Sequence, residues 1–550
     1  MVYGLPTNLL ANRPKRKMNR DFNIMAKKVW KSETTDKRVA TRLKEVETVE
    51  IKDYVRDTDL HGLARNKAYR VDGVHVYADI LNLGEMLQST EVEGETCHKR
   101  TLRFLNLHYR AVYRIIAGVD AIQVDFHNQR LHLVVAKPYG DEAARVHKAV
   151  AIGQLIMDVL AKTGEDGDDK IPSAKVRVGI DTGLALAVRN GRRGSSEPLF
   201  LGVPANHAAK RAGGGTNTGI YLSNEARGAI DLDAVDDEDI SALTPAEVGD
   251  SQEEAALAVT ADGIVRDWKK DLEANPIGKF SFSGHTPPFA DLDLEVLTPG
   301  NSRRNDAISV YADIDGFTAY VANHIDDDDD AMDVVRALHV LRAELDAVLT
   351  EDFGGRKIRF IGDCVHGVIG EGTAQTADTE ASASTAILCA GGLRSGFVRA
   401  LELLEDEGVD VAGLGIAIGF DAGPVALTRL GMKGSMIRCA TGRAILASEH
   451  EQRRCAGDET AVGAVAYGWC SNAGQKIFGS SRKRSGLTYD VALEELADEG
   501  DTTAAAAKVA KAAMAMTLLE PIIAAPAAAA PSAFRFPNRD ATPTKPAGFA

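Results

Sequence analysis

One strand pattern occurs twice in this chain: Val76-Tyr77-Ala78-Asp79-Ile80 returns 234 positions later as Val310-Tyr311-Ala312-Asp313-Ile314. A second correspondence, Gly179-Ile180-Asp181-Thr182-Gly183 with Gly419-Phe420-Asp421-Ala422-Gly423, is offset by 240. Self-similarity over such a span marks two copies of one unit in tandem. The 550 residues exceed the size of a single core and leave room for both copies.

Each copy alternates short apolar runs with amphipathic stretches in the order strand, helix, hairpin, helix, strand. In the second copy, periodicity places these near 307–313, 330–351, 357–370, 376–406 and 411–419. Strands followed by helices that pack on one face predict an α+β sandwich of ferredoxin-like type in each copy. The expected organisation is a basic N-terminal arm with helices over 1–70, a first domain over 71–300 with a linker from about 230, a second domain over 301–500, and an Ala- and Pro-rich tail over 501–550, disordered and helical at most in part. The alternating Glu and Lys residues after position 32 read as a solvated helix. Lys279-Phe280-Ser281-Phe282-Ser283 reads as an edge strand closing the first domain. The run Asp326 to Asp330 lacks the turn glycine of a calcium loop and reads as a water-facing helix start.

A formal net charge of −15 argues against general nucleic-acid binding, because a polyanion is repelled by most of such a surface. The basic, polar beginning lacks the apolar core of a secretory signal. The apolar stretch Ala512–Leu519 is broken by Glu520, Pro521 and Pro526, so no membrane span is expected. Six cysteines without a Cys-x-x-Cys pair read as reduced core thiols of a cytoplasmic protein.

The chemistry is concentrated in the second copy. An apolar run from Ala307 delivers Asp313 to a strand end, and Gly316-Phe317-Thr318 then opens a helix. Gly362-Asp363 stands between two short apolar runs, as at a hairpin tip. Two carboxylates on neighbouring strand ends, with a main-chain carbonyl beside one of them, suit Mg2+ or Mn2+. Either motif alone is weak, since a helix-capping Asp and a Gly-Asp turn are both common.

Their order and spacing together resemble the class III nucleotidyl cyclases, the adenylate and guanylate cyclase family. The resemblance implies two metal ions held by Asp313 and Asp363, with the Ile314 carbonyl as a further ligand. It also implies an Asn and, four positions on, a cation that orient the substrate. Asn206 and Lys210 fit that pattern, with Lys in place of the family's Arg. The corresponding residues of the second copy are Leu446 and His450, while the first copy keeps Asp79 but has Gln129 where the second has Asp363. The first copy thus retains the substrate-orienting pair and the second the metal pair. In this family the site forms between paired domains, so the resemblance implies one composite site, closed within the chain or between two chains of a homodimer.

The positions that read a purine base in the family are Asp125 and Leu199 here, and neither matches the adenine or guanine pattern. Lys433 or Arg438 falls where the family places a phosphate-binding cation. The chain therefore resembles the bacterial pyrimidine cyclases of anti-phage signalling. That implies conversion of a nucleoside triphosphate to cUMP or cCMP, which would activate a separate effector protein. The alternatives are a bacterial adenylate or guanylate cyclase, and an inactive module of the same fold that senses a nucleotide.

Overall fold

The structure, a computed structural model, describes residues 28–56, 58–127, 129–164, 171–190, 198–432 and 436–519. The first half carries strands β1 (Glu50–Asp53), β2 (Lys67–Ile80), β3 (Ile122–His127), β4 (Arg130–Val135), β5 (Val176–Arg189), β6 (Pro198–Leu201) and β7 (Gly219–Leu222). They form one sheet in the order β3-β4-β2-β5-β6, with β1 added beside β2 and β7 beside β5. In the second half, strands β8 (Phe282–Ser283), β9 (Ser302–Asp315), β10 (Arg356–Ile361), β11 (Cys364–Ile369), β12 (Gly415–Leu430), β13 (Ile437–Thr441), β14 (Glu459–Val462) and β15 (Lys483–Ser485) follow the order β10-β11-β9-β12-β14-β15. Here β8 pairs with β9 and β13 with β12. The repeat read from sequence is thus matched by two sheets whose central strand runs antiparallel to two long neighbours, β2 to β4 and β5 and β9 to β11 and β12.

The helices used below are α1 (Ser32–Glu45), α2 (Glu95–Gly118), α3 (Glu142–Leu160), α4 (Val203–Gly213), α5 (Phe317–His324), α6 (Asp328–Ala347), α7 (Thr379–Asp406), α8 (Arg443–Arg453), α9 (Tyr489–Asp498) and α10 (Thr502–Leu519). In the first half α2 and α3 bury Leu102, Leu105, Val146 and Val150 with Val74 and Val76 of the central strand. In the second, α6 and α7 bury Leu338, Leu341, Ile387 and Leu393 with Ile308 and Val310. Residues 307–312 are buried throughout, because helices cover the sheet on one side and a second apolar cluster around Tyr311, Val425 and Phe289 fills the other. At the start of α6, Asp327 accepts from the Asp329 and Asp330 amides, the water-facing helix cap expected of the Asp run.

The two halves exchange apolar surface reciprocally. Leu186, Val188, Leu199 and Leu201 of β5 and β6 belong to the core of the second half, and Ala426, Leu430 and Cys439 of β12 and β13 to that of the first. Burying a Leu or Val side chain contributes about 1.5–3 kcal/mol, so each hairpin is anchored in its neighbour. Polar contacts follow the same seam, with Arg342 Nη2 donating to Asn190 O at 2.7 Å and Arg443 Nη2 to Thr90 O at 2.7 Å.

Three sequence expectations need correction. Within the proposed N-terminal arm, α1 is no solvated helix: Thr35 and Val39 are buried against the second half, and β1 then joins the first sheet parallel to β2. Phe282–Ser283 pairs with β9 of the second sheet and so does not close the first. In the expected disordered tail, residues 502–519 form α10, started by Asp501 accepting from the Ala504 amide, with Ala504 and Ala507 buried. The basic run 13–17 and residues 520–550 lie outside the described residues.

Among the described residues all six cysteines are free, five of them buried. No described helix is long and apolar enough to cross a membrane.

The Arg38 guanidinium holds α1 in place, donating to Glu344 Oε1 at 3.2 Å and Asp352 Oδ2 at 2.9 Å. Both carboxylates are buried. Arg38→Ala leaves them without that partner and should lower stability by about 3 kcal/mol in chemical denaturation. A loss within experimental error would show that α1 does not depend on this contact.

Candidate active site

Strand register brings Asp313 and Asp363 together. On β9, Ala312 pairs with Val365 of β11, and β11 begins at Cys364, opposite Ile361 of β10. Asp363 therefore sits in the turn beside the end of β9, just past the last paired position. That turn runs through Gly362 at φ +60°, and the chain leaves β9 through Gly316 at φ +80°, where a Cβ would lie 2.6 Å from Gly413 O. Both positions lie in the left-handed region that favours glycine.

Both carboxylates are half-buried. Burial, reinforced by the Asp315 charge, pushes Asp313 up to about 6, against hydrogen bonding from Cys364 and Gln452. Asp363 is raised by burial first and then by Asp313, although the Ile314 amide favours its charged form. Two half-buried carboxylates whose pKa values burial and neighbouring carboxylates push up are the donors a hard divalent cation satisfies. Among the described residues no group of three or more His, Cys, Asp and Glu side chains gathers.

The opposite wall comes from the first half. Gly202 at φ +128° turns β6 into α4, and Pro204 stands in the first helical turn. Phe200, Ala205, Asn206 and Ala209 then face Asp313, Ile314, Phe317, Thr318 and Asp363 across a cleft of about 650 Å³. Asn206 Nδ2 donates to Thr318 Oγ1 of α5, closing the span between the halves.

None of the other candidates from sequence is in the cleft lining among the described residues. Lys210 is exposed on α4 next to the cleft-lining Ala209 and is not itself in the lining. Leu199 is buried in the core of the second half. Asp125 faces Arg359 Nη1 at 3.8 Å, outside the cleft lining. Arg438 pairs with Glu295 and borders a separate cavity. Lys433 lies outside the described residues.

Three cleft residues were not singled out from sequence. Gln452 Nε2 donates to Asp313 Oδ2 at 3.3 Å, and Arg453, next to it on α8, favours the charged form of Asp313. Arg130 donates to Asp79 Oδ2 at 3.2 Å and to Glu449 Oε1 at 2.8 Å. In the degenerate copy a guanidinium thus neutralises the surviving carboxylate. Leu446, in place of Asn206, packs against the first-half core. A basic residue directly after Gln129 was the available signal.

Residues 301–442 match the family described as the adenylate and guanylate cyclase catalytic domain. Over 485 residues the chain is 56% identical to a uridylate cyclase from Pseudomonas aeruginosa, spanning 88% of this chain and 94% of that protein. A uridylate cyclase from a Rhizobium species is 37% identical over 436 residues, spanning 75% and 81%. The crystal structure of a class III adenylyl cyclase-like ATP-binding protein from Pseudomonas aeruginosa superposes with a TM-score of 0.83 at 56% identity, covering 85% of this chain and 99% of that one. The chain belongs to the class III nucleotidyl cyclase family, enzymes that use divalent metal ions, and to the branch that contains these uridylate cyclases. Its α+β fold is that of the family.

Folding raises the Asp313 pKa from an ordinary value of about 3.9 to about 6. Between those values the native state binds the extra proton, so this group makes the metal-free protein less stable as pH rises through the interval. In EDTA, the melting temperature of the parent relative to Asp313→Asn should fall from about pH 4 to about pH 7, and Mg2+ should reverse the loss. A difference that stays flat with pH would show that the pair carries no such strain.

Proposed function

We propose that the chain converts UTP to 3′,5′-cyclic UMP and pyrophosphate at a single composite site between its halves, with the tandem domains acting as a pseudo-heterodimer. The observation that carries this reading is Asn206 of the first half facing Asp313 and Asp363 of the second across one cleft. The names of the two uridylate cyclases support the choice of base. The absence of the family's purine-reading side chains at Asp125 and Leu199 supports it as well.

Asp313, Asp363 and the Ile314 carbonyl would hold two Mg2+ or Mn2+ ions. Bound there, such ions acidify the ribose 3′-hydroxyl and neutralise the triphosphate. Asn206 fixes the ribose so that its 3′ oxygen lies in line with the α-phosphorus. Holding reacting groups in this way supplies about 7–11 kcal/mol in favourable intramolecular cases. Arg453 in the cleft, and Lys210 one turn after Asn206, meet charge developing on the phosphoryl oxygens. The apolar wall of Phe200, Leu201 and Phe317 limits competing attack by water. The product then serves as a second messenger for a separate effector, as the resemblance to anti-phage pyrimidine cyclases suggests.

Incubating the purified protein with each of the four ribonucleoside triphosphates and Mn2+ should give cyclic UMP as the main product by mass spectrometry. Asp363→Asn should reduce turnover at least about 100-fold without loss of folding, and Asn206→Ala about 10- to 100-fold. Asp79→Asn should leave turnover near that of the parent. Equal losses at Asp79 and Asp363 would overturn the composite site, and a purine product would overturn the assigned base. Lys210→Ala and Arg453→Ala, compared by kcat, separate the two cations.

A further inference from the structure

A second cavity, of about 720 Å³, lies between the halves and shares no lining residue with the carboxylate cleft. It is bounded by the end of β5, by α1 and α6, and by the edge strand β10. Eight arginine and lysine side chains line it against three carboxylates, in a chain whose overall formal charge is −15. A concentration of positive charge against the sign of the whole molecule needs an explanation.

The lining carboxylates do not balance it. Glu45 is shared by Arg65 at 2.6 Å and Arg42 at 3.1 Å, and Asp346 pairs with Lys357. Arg356 has no carboxylate partner among the described residues: its Nη1 donates to Ala290 O at 3.3 Å, and its buried Nε has no partner. Arg189 is exposed at the end of β5, without an ion pair among the described residues. Burial lowers the pKa of Arg356, and Arg438 adds to the effect. Burial likewise lowers Lys357 to about 8, with Arg342 and Arg438 adding to it against the pull of Asp346. Like charges gathered along one lining repel one another, and an anion placed among them relieves the repulsion.

We propose that this chamber binds a small polyphosphate anion, carrying at least two phosphoryl groups, at a site separate from the catalytic cleft. Arginine forks at Arg189 and Arg356 suit phosphoryl oxygens, and the lysine adds a point charge. Pyrophosphate and the phosphate chain of a nucleoside triphosphate share this chemistry. Because Arg189 comes from the first half and Arg356 from the second, a bound anion would draw together the same two halves that form the cleft.

The test is isothermal titration calorimetry on the full chain in EDTA, with tripolyphosphate, pyrophosphate, UTP and orthophosphate as separate probes. Tripolyphosphate should bind with one-to-one stoichiometry and weaken steeply with added NaCl. Asp363→Asn should leave that binding intact, so failure of the catalytic reading would not remove it. Arg356→Ala and Arg189→Glu should each weaken it at least about 10-fold. Since Arg189 is exposed, its variant should fold even if the Arg356 variant does not. Tighter binding of pyrophosphate than of UTP would assign the chamber to the product, and the reverse to the nucleotide. The proposal is overturned by absence of binding, by binding that both arginine variants leave unchanged, by loss of binding in Asp363→Asn, or by orthophosphate binding as tightly as tripolyphosphate.

Discussion

The reciprocal burial of one hairpin from each half in the core of the other is the constraint on which the rest of the structure depends. Leu199 and Leu201 are fixed in the second-half core, and α4 follows directly from that strand. The position of Asn206 opposite Asp363 is therefore a consequence of apolar packing several residues away. A polar side chain on a mobile loop would have to be ordered by substrate, at a cost in binding energy. Here folding has already met that cost.

The same packing explains how the copies came to differ without losing the architecture. The sheets need the strands and the apolar faces, and both copies keep these. Neither sheet needs the carboxylate at the hairpin tip, which the first copy lacks at Gln129. Its remaining Asp79 is buried, and an isolated buried carboxylate is costly, so Arg130 supplies the positive charge and continues across the seam to Glu449. In the second half neither Asp313 nor Asp363 forms an ion pair among the described residues, and the repulsion that Asp363 meets from Asp313 is left for a cation to relieve.

Much of this was legible in the sequence because it is local. Alternation and apolar runs marked 307–313 and the hairpin 357–370, observed as β9 over 302–315 and as β10 and β11 over 356–369. The Gly-Asp turn and the Asp before Gly-Phe-Thr declared themselves because their backbone geometry permits few other residues. What the sequence did not disclose was long-range. Phe282–Ser283 has an edge-strand pattern, but no local signal says which sheet it will join. The apolar face of α1 was masked by its many charged residues, several of which, like Arg38, are satisfied by partners some 300 positions away. Arg438 is read by position in a turn motif, and such a position does not fix where a long side chain ends. Gln452 and Arg453 carry no motif at all and enter the cleft only because α8 packs against β9 and β12 of its own half.

The central claim is that one nucleotide spans the seam. Its most direct test is a crystal structure of the full chain with Mn2+ and a non-cyclisable UTP analogue. The account predicts one nucleotide per chain at this cleft, with its triphosphate at Asp313 and Asp363 and its ribose within hydrogen-bond distance of Asn206. A nucleotide held entirely by residues of one half, or seated at Asp79 and Leu446, would contradict it.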